Sequence, residues 1–231
     1  FAAVNLIMPF PMMLGAFGFM IGTGGSALVS ITLGEGKKKE ANEFFSMLIY
    51  VTIATGIVLT VLGIIFTRPI AVFFGAEGEI LEYCVQYGRL LLLGLSAFML
   101  QNVFQSFLVT AEKPTFGLII TLIAGVTNIA LDYVFIKILD GGVVGAALAT
   151  TISQVVGGIV PLVYFMLPNK SPLKLVKTKL NLRALGKTCF NGSSELMVNL
   201  SISLVNMLYN FQLLRFAGED GVAAYGVIMY V

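Results

Sequence analysis

Histidine is absent from the sequence and cysteine occurs twice, at Cys84 and Cys189. That inventory excludes a catalytic histidine and a Cys/His metal site. The spans assigned below put the two cysteines near opposite membrane faces, and a disulfide needs Cα atoms roughly 4.4–6.8 Å apart, so no bridge is expected. Charge is scarce: Asp, Glu, Lys and Arg make up 11% of the 231 residues, against about 25% in soluble domains. No lysine falls in the middle of a span, which leaves an intramembrane hydrolase without a Ser/Lys pair and argues against an enzyme. Nor does polarity alternate over stretches of about ten residues, so transmembrane strands are excluded.

What is abundant is apolar sequence, with 58% hydrophobic residues and a mean hydropathy of +0.95. A water-soluble globule of this size would leave large apolar areas wet, whereas a bilayer accepts them. The chain opens at Phe1 inside a hydrophobic run and stops nine residues into another, Ala223–Val231. We therefore expect a chain cut at both ends. Six stretches are long enough to cross a bilayer at about 1.5 Å per residue: Val4–Leu33, Ala41–Thr67, Ile80–Thr110, Phe116–Ile136, Val143–Leu167 and Leu185–Phe216. The expected fold class is all-α, a polytopic transmembrane helix bundle of six full spans and a partial seventh.

Lys and Arg set the orientation. Ten of the fourteen fall in the first, third and fifth breaks, at Lys37, Lys38 and Lys39, at Lys113, and at Lys170, Lys174, Lys177, Lys179, Arg183 and Lys187. The even breaks carry Glu77, Glu79, Asp140, Glu219 and Asp220 instead. By the positive-inside rule the odd breaks are cytoplasmic and the even ones external. Pro168–Lys187 is the one long connection. Its Leu173, Leu175, Val176, Leu180 and Leu182 suit a short amphipathic helix on the membrane surface, and equally a solvated loop that obeys the charge rule.

Ionisable groups inside hydrocarbon cost about 2.5–3.5 kcal/mol and usually face the bundle interior or water. Asp132 and Glu195 are the two acids so placed. Asn128 precedes Asp132 by one turn on the same helix face, and Gly125 and Thr121 continue the stripe. Such a carboxylate beside an amide can take up a proton or a monovalent cation; it can also simply lock helices together. Asn191, Glu195, Asn199, Ser203, Asn206 and Asn210 recur at helical spacing, so one face of the last span is polar throughout. It lines an aqueous path or makes interhelical hydrogen bonds. Gln101, Asn102, Gln105 and Ser106 cluster on the third span, where packing and substrate contact are both open. Arg89 of that span snorkels outward or pairs with Glu82 or another acid. Gly145, Ala149, Ser153 and Gly157 form a small-residue ridge for close packing. The 18 Phe and 10 Met suit helix interfaces, lipid contact or a promiscuous pocket.

Several stretches resemble the multidrug and toxic compound extrusion (MATE) family. Gly22–Gly36, followed by Lys37-Lys38-Lys39-Glu40-Ala41, is similar to the glycine-rich exit of the family's second helix. Asn128-Ile-Ala-Leu-Asp132-Tyr-Val-Phe-Ile136 and Gly142-Val-Val-Gly145–Gln154, at this separation, carry the likeness more specifically. The resemblance implies a two-lobe, twelve-helix transporter, of which these spans are helices two to seven. Residues 1–167 are then the N-terminal lobe without its first helix, 168–184 a basic cytoplasmic linker, and 185–231 the start of the C-terminal lobe. It implies a monomeric antiporter of the cell membrane, the bacterial inner membrane, that exports cationic or amphipathic drugs in exchange for H⁺ or Na⁺ by alternating access. Partners are then drug-like molecules, the coupling cation and the bilayer, with no nucleic acid and no cofactor beyond the coupling ion.

The same resemblance places a polar site around Asp132, with Asn128 and Thr150 facing it, Gln105 contributing nearby and Gln154 closing the second motif. An acid on the family's first helix completes that site. Glu195 departs from the family pattern, because Gly192-Ser193-Ser194-Glu195 lacks the Gly-x-Pro of several branches. Its candidacy, with Asn199 and Asn206, rests on the polar row alone. A lipid-linked glycan flippase of the same superfamily would need a cationic cavity for pyrophosphate, and apart from Arg89 the stripes carry almost no basic residue. A non-transporting scaffold or receptor would need no ionisable stripes at all.

Overall fold

The computed structural model describes residues 2–169 and 171–229, and every regular element among them is a helix. Phe1, Lys170 of the basic connection, the chain-end residues Tyr230 and Val231, and the side chains of Ala2, Glu219, Asp220, Ala223 and residues 227–229 lie outside what is described. By length and composition five segments can cross a membrane, and a bent helix pair makes a sixth.

The first span comprises α1 (Ala2–Ile7) and α2 (Pro9–Gly34). It is interrupted at Met8, where Pro9 and Pro11 bring no N–H to the helical ladder. The second, α3 (Lys38–Phe73), runs past Thr67 and through Pro69. Arg68 is therefore not in the external break, as the sequence suggested, but on a helix that continues another turn. There its guanidinium meets Glu82 at 3.0 Å, so Glu82 is paired with Arg68 and not with the exposed Arg89.

The third span is bent. α4 (Gly78–Leu93) and α5 (Leu95–Thr110) meet at Gly94 with a 50° change of direction. A bend frees backbone carbonyls, and inside hydrocarbon these need partners. Thr151 Oγ1 donates to Leu90 O at 3.1 Å and Thr60 Oγ1 to Leu92 O at 2.9 Å. A side chain at Gly94 would meet Gln154 Oε1 at 2.8 Å.

The fourth span is α6 (Pro114–Asp132), continued by one π-helical turn, Tyr133–Ile138. α7 (Gly142–Met166) is the fifth, and its ridge of Gly145, Ala149, Ser153 and Gly157 is buried. Gly157 faces the Gln101 amide and Gly158 the Ala97 carbonyl, so the ridge does serve close packing. α8 (Leu182–Met229) breaks at Gly218, whose φ of 63° and ψ of −159° are not helical. Tyr225 hydrogen-bonds Asn206, although a straight helix would separate residues so far apart by about 28 Å. The chain thus reverses at Gly218 and packs back along α8.

Two apolar cores stack along the bundle. One joins Phe45, Leu48, Phe104, Phe107 and Phe165, with Phe45 edge-on to Phe107 at 4.9 Å and to Phe165 at 5.0 Å. The other joins Ile7, Phe10, Cys84, Leu92, Leu95, Met99 and Met207. Both cysteines are free. The connection after α7 is not an amphipathic helix: its first part docks on α3, and from Lys177 on it is a largely exposed loop. Residues 172–181 run without helix along α3, where Lys174 N–H donates to Asn42 Oδ1 and Val176 N–H to Ser46 Oγ, each at 2.8 Å. Leu173 is fully buried in the first core. The physical reason is local: α3 supplies acceptors for the backbone, and the core takes the leucine from the membrane surface.

Candidate transport site

The polar residues picked out in the sequence divide into three groups. In the first, Asp132 closes α6 just before the π-helical turn and is half-buried. Such turns recur where a helix has to present a functional side chain. One turn earlier Asn128 is half-buried, and its Nδ2 is out of contact with solvent and has no hydrogen-bond partner. Gly125, next along the stripe, has open space where a Cβ would stand. Thr121 accepts from Gln105 Nε2 at 3.1 Å, which ties α5 to α6. Elsewhere α6 turns apolar side chains outward, with Val126 and Ile129 well exposed, as suits a helix meeting lipid.

The amide cluster of α5 does not act as one surface. Gln105 is exposed and directed to α6, Asn102 is buried with an unpartnered Nδ2, and Gln101 lies on Gly157 of α7.

The second group lies on α7. Thr150 and Gln154 line a cavity of about 50 Å³ with Met8, Pro11, Met12 and Phe98. Gln154 Oε1 is buried there without a partner. Among the described residues, no hydrogen bond joins Thr150 or Gln154 to Asp132 or Asn128.

The third group is the polar row of α8, and it changes character along its length. Asn191 is exposed, Glu195 and Asn199 are half-buried, and Ser203 and Asn210 are buried. Asn199 Nδ2 donates to Glu195 O at 2.8 Å and lies 3.5 Å from Glu195 Oε2. The row is therefore not one uniform aqueous face, because its C-terminal end is packed against α1. There Asn210 Nδ2 donates to Asn5 O at 2.7 Å, Asn5 Nδ2 to Val222 O at 3.4 Å, and Tyr225 OH to Asn206 Oδ1 at 3.3 Å. These side chains border a cavity of about 190 Å³ with Met8 and Met12. Asn210 Oδ1 faces no donor, at a cost of about 1–3 kcal/mol for a buried polar atom. Asn206 and Asn210 stand out in the sequence, whereas Asn5, Met8, Met12 and Tyr225 do not. The Pro9-Phe10-Pro11 run was the one signal that this end of the first span departs from a plain helix.

The MatE family model matches residues 1–134. This chain belongs to the MatE family. It is 29% identical over 227 residues to the multidrug export protein MepA of Staphylococcus haemolyticus strain JCSC1435, covering 98% of this chain and 50% of that protein. Two solved structures of multidrug resistance MATE family transporters of the MOP superfamily match at 25% identity. The inward-facing one superposes with a TM-score of 0.92, over 97% of this chain and 51% of that one. The outward-facing one gives 0.86, over 99% and 51%. This MatE chain thus spans about half the length of the relatives it matches. It is a multi-pass membrane protein built on the MATE helix bundle.

Proposed function

We propose that the protein exports cationic or amphipathic drugs across the cell membrane in exchange for H⁺ or Na⁺. The observation that carries the reading is Asp132, a half-buried carboxylate inside a spanning segment, one turn from an amide nitrogen that has no partner. A carboxylate so placed alternates between protonated, cation-bound and free forms, and that alternation couples an ion gradient to a conformational change. The similarity to multidrug export proteins supplies the substrate class. The export cycle is alternating access between an N-terminal lobe, residues 1–167, and a C-terminal lobe that begins after the 168–184 connection. α2 and α8 then form the seam between lobes, and Gln105, Thr150, Gln154, Glu195, Asn199 and Asn206 line or border the path. The staphylococcal relatives favour a bacterial cytoplasmic membrane. Flipping of a pyrophosphate-linked glycan is disfavoured, because neither cavity beside α1 and α2 is bordered by Lys or Arg among the described residues.

Ethidium accumulation in cells making the full-length protein tests the reading. Export should lower accumulation, and collapsing one ion gradient, H⁺ or Na⁺, should abolish the difference. Efflux that survives collapse of both gradients refutes the coupling.

A further inference from the structure

Two backbone groups pin the connection to α3, the Val176 N–H on Ser46 Oγ and the Asn181 N–H on Met47 Sδ at 3.1 Å. Around the residues between them lies an open groove of about 900 Å³, a volume in the range that takes a small organic ligand. Its walls carry Glu43 and Phe44 of α3, with Lys177, Lys179, Leu180 and Leu182 opposite. Both lysines are exposed, and so is Arg183 on the first turn of α8. Among the described residues none of these three cations is in an ion pair, nor is Glu43. Leu180 and Leu182 are 61% and 71% exposed. Apolar side chains interleaved with unpaired cations at the end of a spanning helix suit the boundary between headgroups and acyl chains. Beyond the groove α3 continues as apolar surface. Glu43, Tyr50 and Ile57 follow at steps of seven and share a helix face, and Tyr50, Ile57, Val58, Val61 and Leu62 are all exposed. A charged mouth therefore runs on into an apolar stripe on a spanning helix.

We propose that this groove seats one anionic phospholipid of the phosphatidylglycerol type, with its phosphate against Lys177 and Lys179 and its acyl chains along the exposed stripe of α3. Charge sets the choice of lipid: the two lysines, with Arg183 beside them, outweigh Glu43, so a head with net negative charge is favoured over a zwitterion. Glu43 is left to accept from a hydroxyl of the glycerol head. Leu180 and Leu182 enter the acyl boundary beside the bound lipid, which accounts for two large apolar side chains standing open next to lysines. The seat lies on the outside of the bundle, away from the polar groups of α6, α7 and α8, and is independent of what the protein exports.

The test is native mass spectrometry of the full-length protein in detergent, titrated with phosphatidylglycerol and, separately, with phosphatidylcholine of the same acyl chains. The expected result is one phosphatidylglycerol held about tenfold more tightly than phosphatidylcholine. The ratio should fall towards one in the double variant Lys177→Gln with Lys179→Gln, whose exposed positions leave the fold intact. The double variant Lys38→Gln with Lys39→Gln removes the same charge from the first turn of α3, outside the groove, and should keep the preference. Excess inorganic phosphate should not displace the lipid, because it brings no acyl chains. Equal binding of the two lipids by the wild-type protein overturns the proposal, whether or not the variants fold. An equal loss of preference in both double variants overturns it too, since the selectivity then belongs to the basic face as a whole. Displacement by phosphate would show a site for a free anion and not for a lipid, and overturns it as well.

Discussion

The backbone carbonyl of Thr188 on α8 occupies the place where a side chain on Gly24 of α2 would have to go, and Gly192 stands in the same relation to the carbonyl of Met20. α2 and α8 therefore touch backbone to backbone, because two glycines face each other's chains one turn apart. Gly24→Leu or Gly192→Leu should force the helices apart and lower the Tm of the purified protein, at about 1–3 kcal/mol for an overpacked contact. Gly186 has nothing within 4 Å of the place a methyl group would take. It is the control, and Gly186→Ala should leave Tm unchanged or raise it. Equal behaviour of all three variants would contradict the contact.

The connection after α7 is held by side chains of α3 and by one buried leucine. Leu173→Ala removes a fully buried side chain and should cost about 2–5 kcal/mol in unfolding experiments. Ser46→Ala leaves the Val176 N–H without its acceptor and should cost about 1 kcal/mol, with faster amide exchange at Val176. Exchange at Val176 already fast in the parent would show that the segment does not dock.

The bend at Gly94 depends on hydroxyls that satisfy released carbonyls. Thr151→Val keeps the shape but orphans Leu90 O, and should lower stability by about 1–3 kcal/mol. A neutral result would mean that the Leu90 carbonyl has another partner.

Glu35 and Lys37 form an exposed 2.7 Å ion pair in the turn after α2. The hydrogen bond with Lys37, and then its charge, hold the Glu35 carboxyl below its ordinary value, while the same bond raises Lys37. For Glu35 the sign is that any stability from the pair is present above the ordinary glutamate value and is lost as pH falls through the lowered one. For Lys37 it is lost only as pH rises through the raised lysine value. Both side chains are more than half exposed, so water screens the pair. Glu35→Gln should leave Tm unchanged at neutral pH, and a clear drop would show a partner beyond Lys37.

The spans were legible because hydrocarbon demands long apolar runs, and the charged breaks marked their ends to within a few residues. Proline did not stop α3 at Arg68, since a helix emerging from the membrane can lose one hydrogen bond and continue to Phe73. The bend in the third span was illegible, because Gly94 sits among leucines and the hydroxyls that satisfy the carbonyls it frees, Thr60 and Thr151, lie on other helices. Asp132 and Asn128 could be paired by their one-turn spacing alone. Asn210 could not be matched to Asn5, since the contact joins residues 205 positions apart and helical periodicity carries no information about distant chain. The docked connection was hidden for the same reason: its basic residues obeyed the charge rule while its fit to Asn42 and Ser46 was set by the fold.

The proposed coupling of export to an ion gradient rests above all on the carboxylate of Asp132. Ethidium efflux should be measured in cells making equal membrane amounts of the full-length protein as wild type, Asp132→Asn and Asp132→Glu. Asp132→Asn should abolish or strongly reduce efflux while insertion is intact, and Asp132→Glu, which keeps the ionisable group, should retain part of it. Normal efflux by Asp132→Asn would remove this residue from the coupling site and refute the exchange mechanism proposed for the protein.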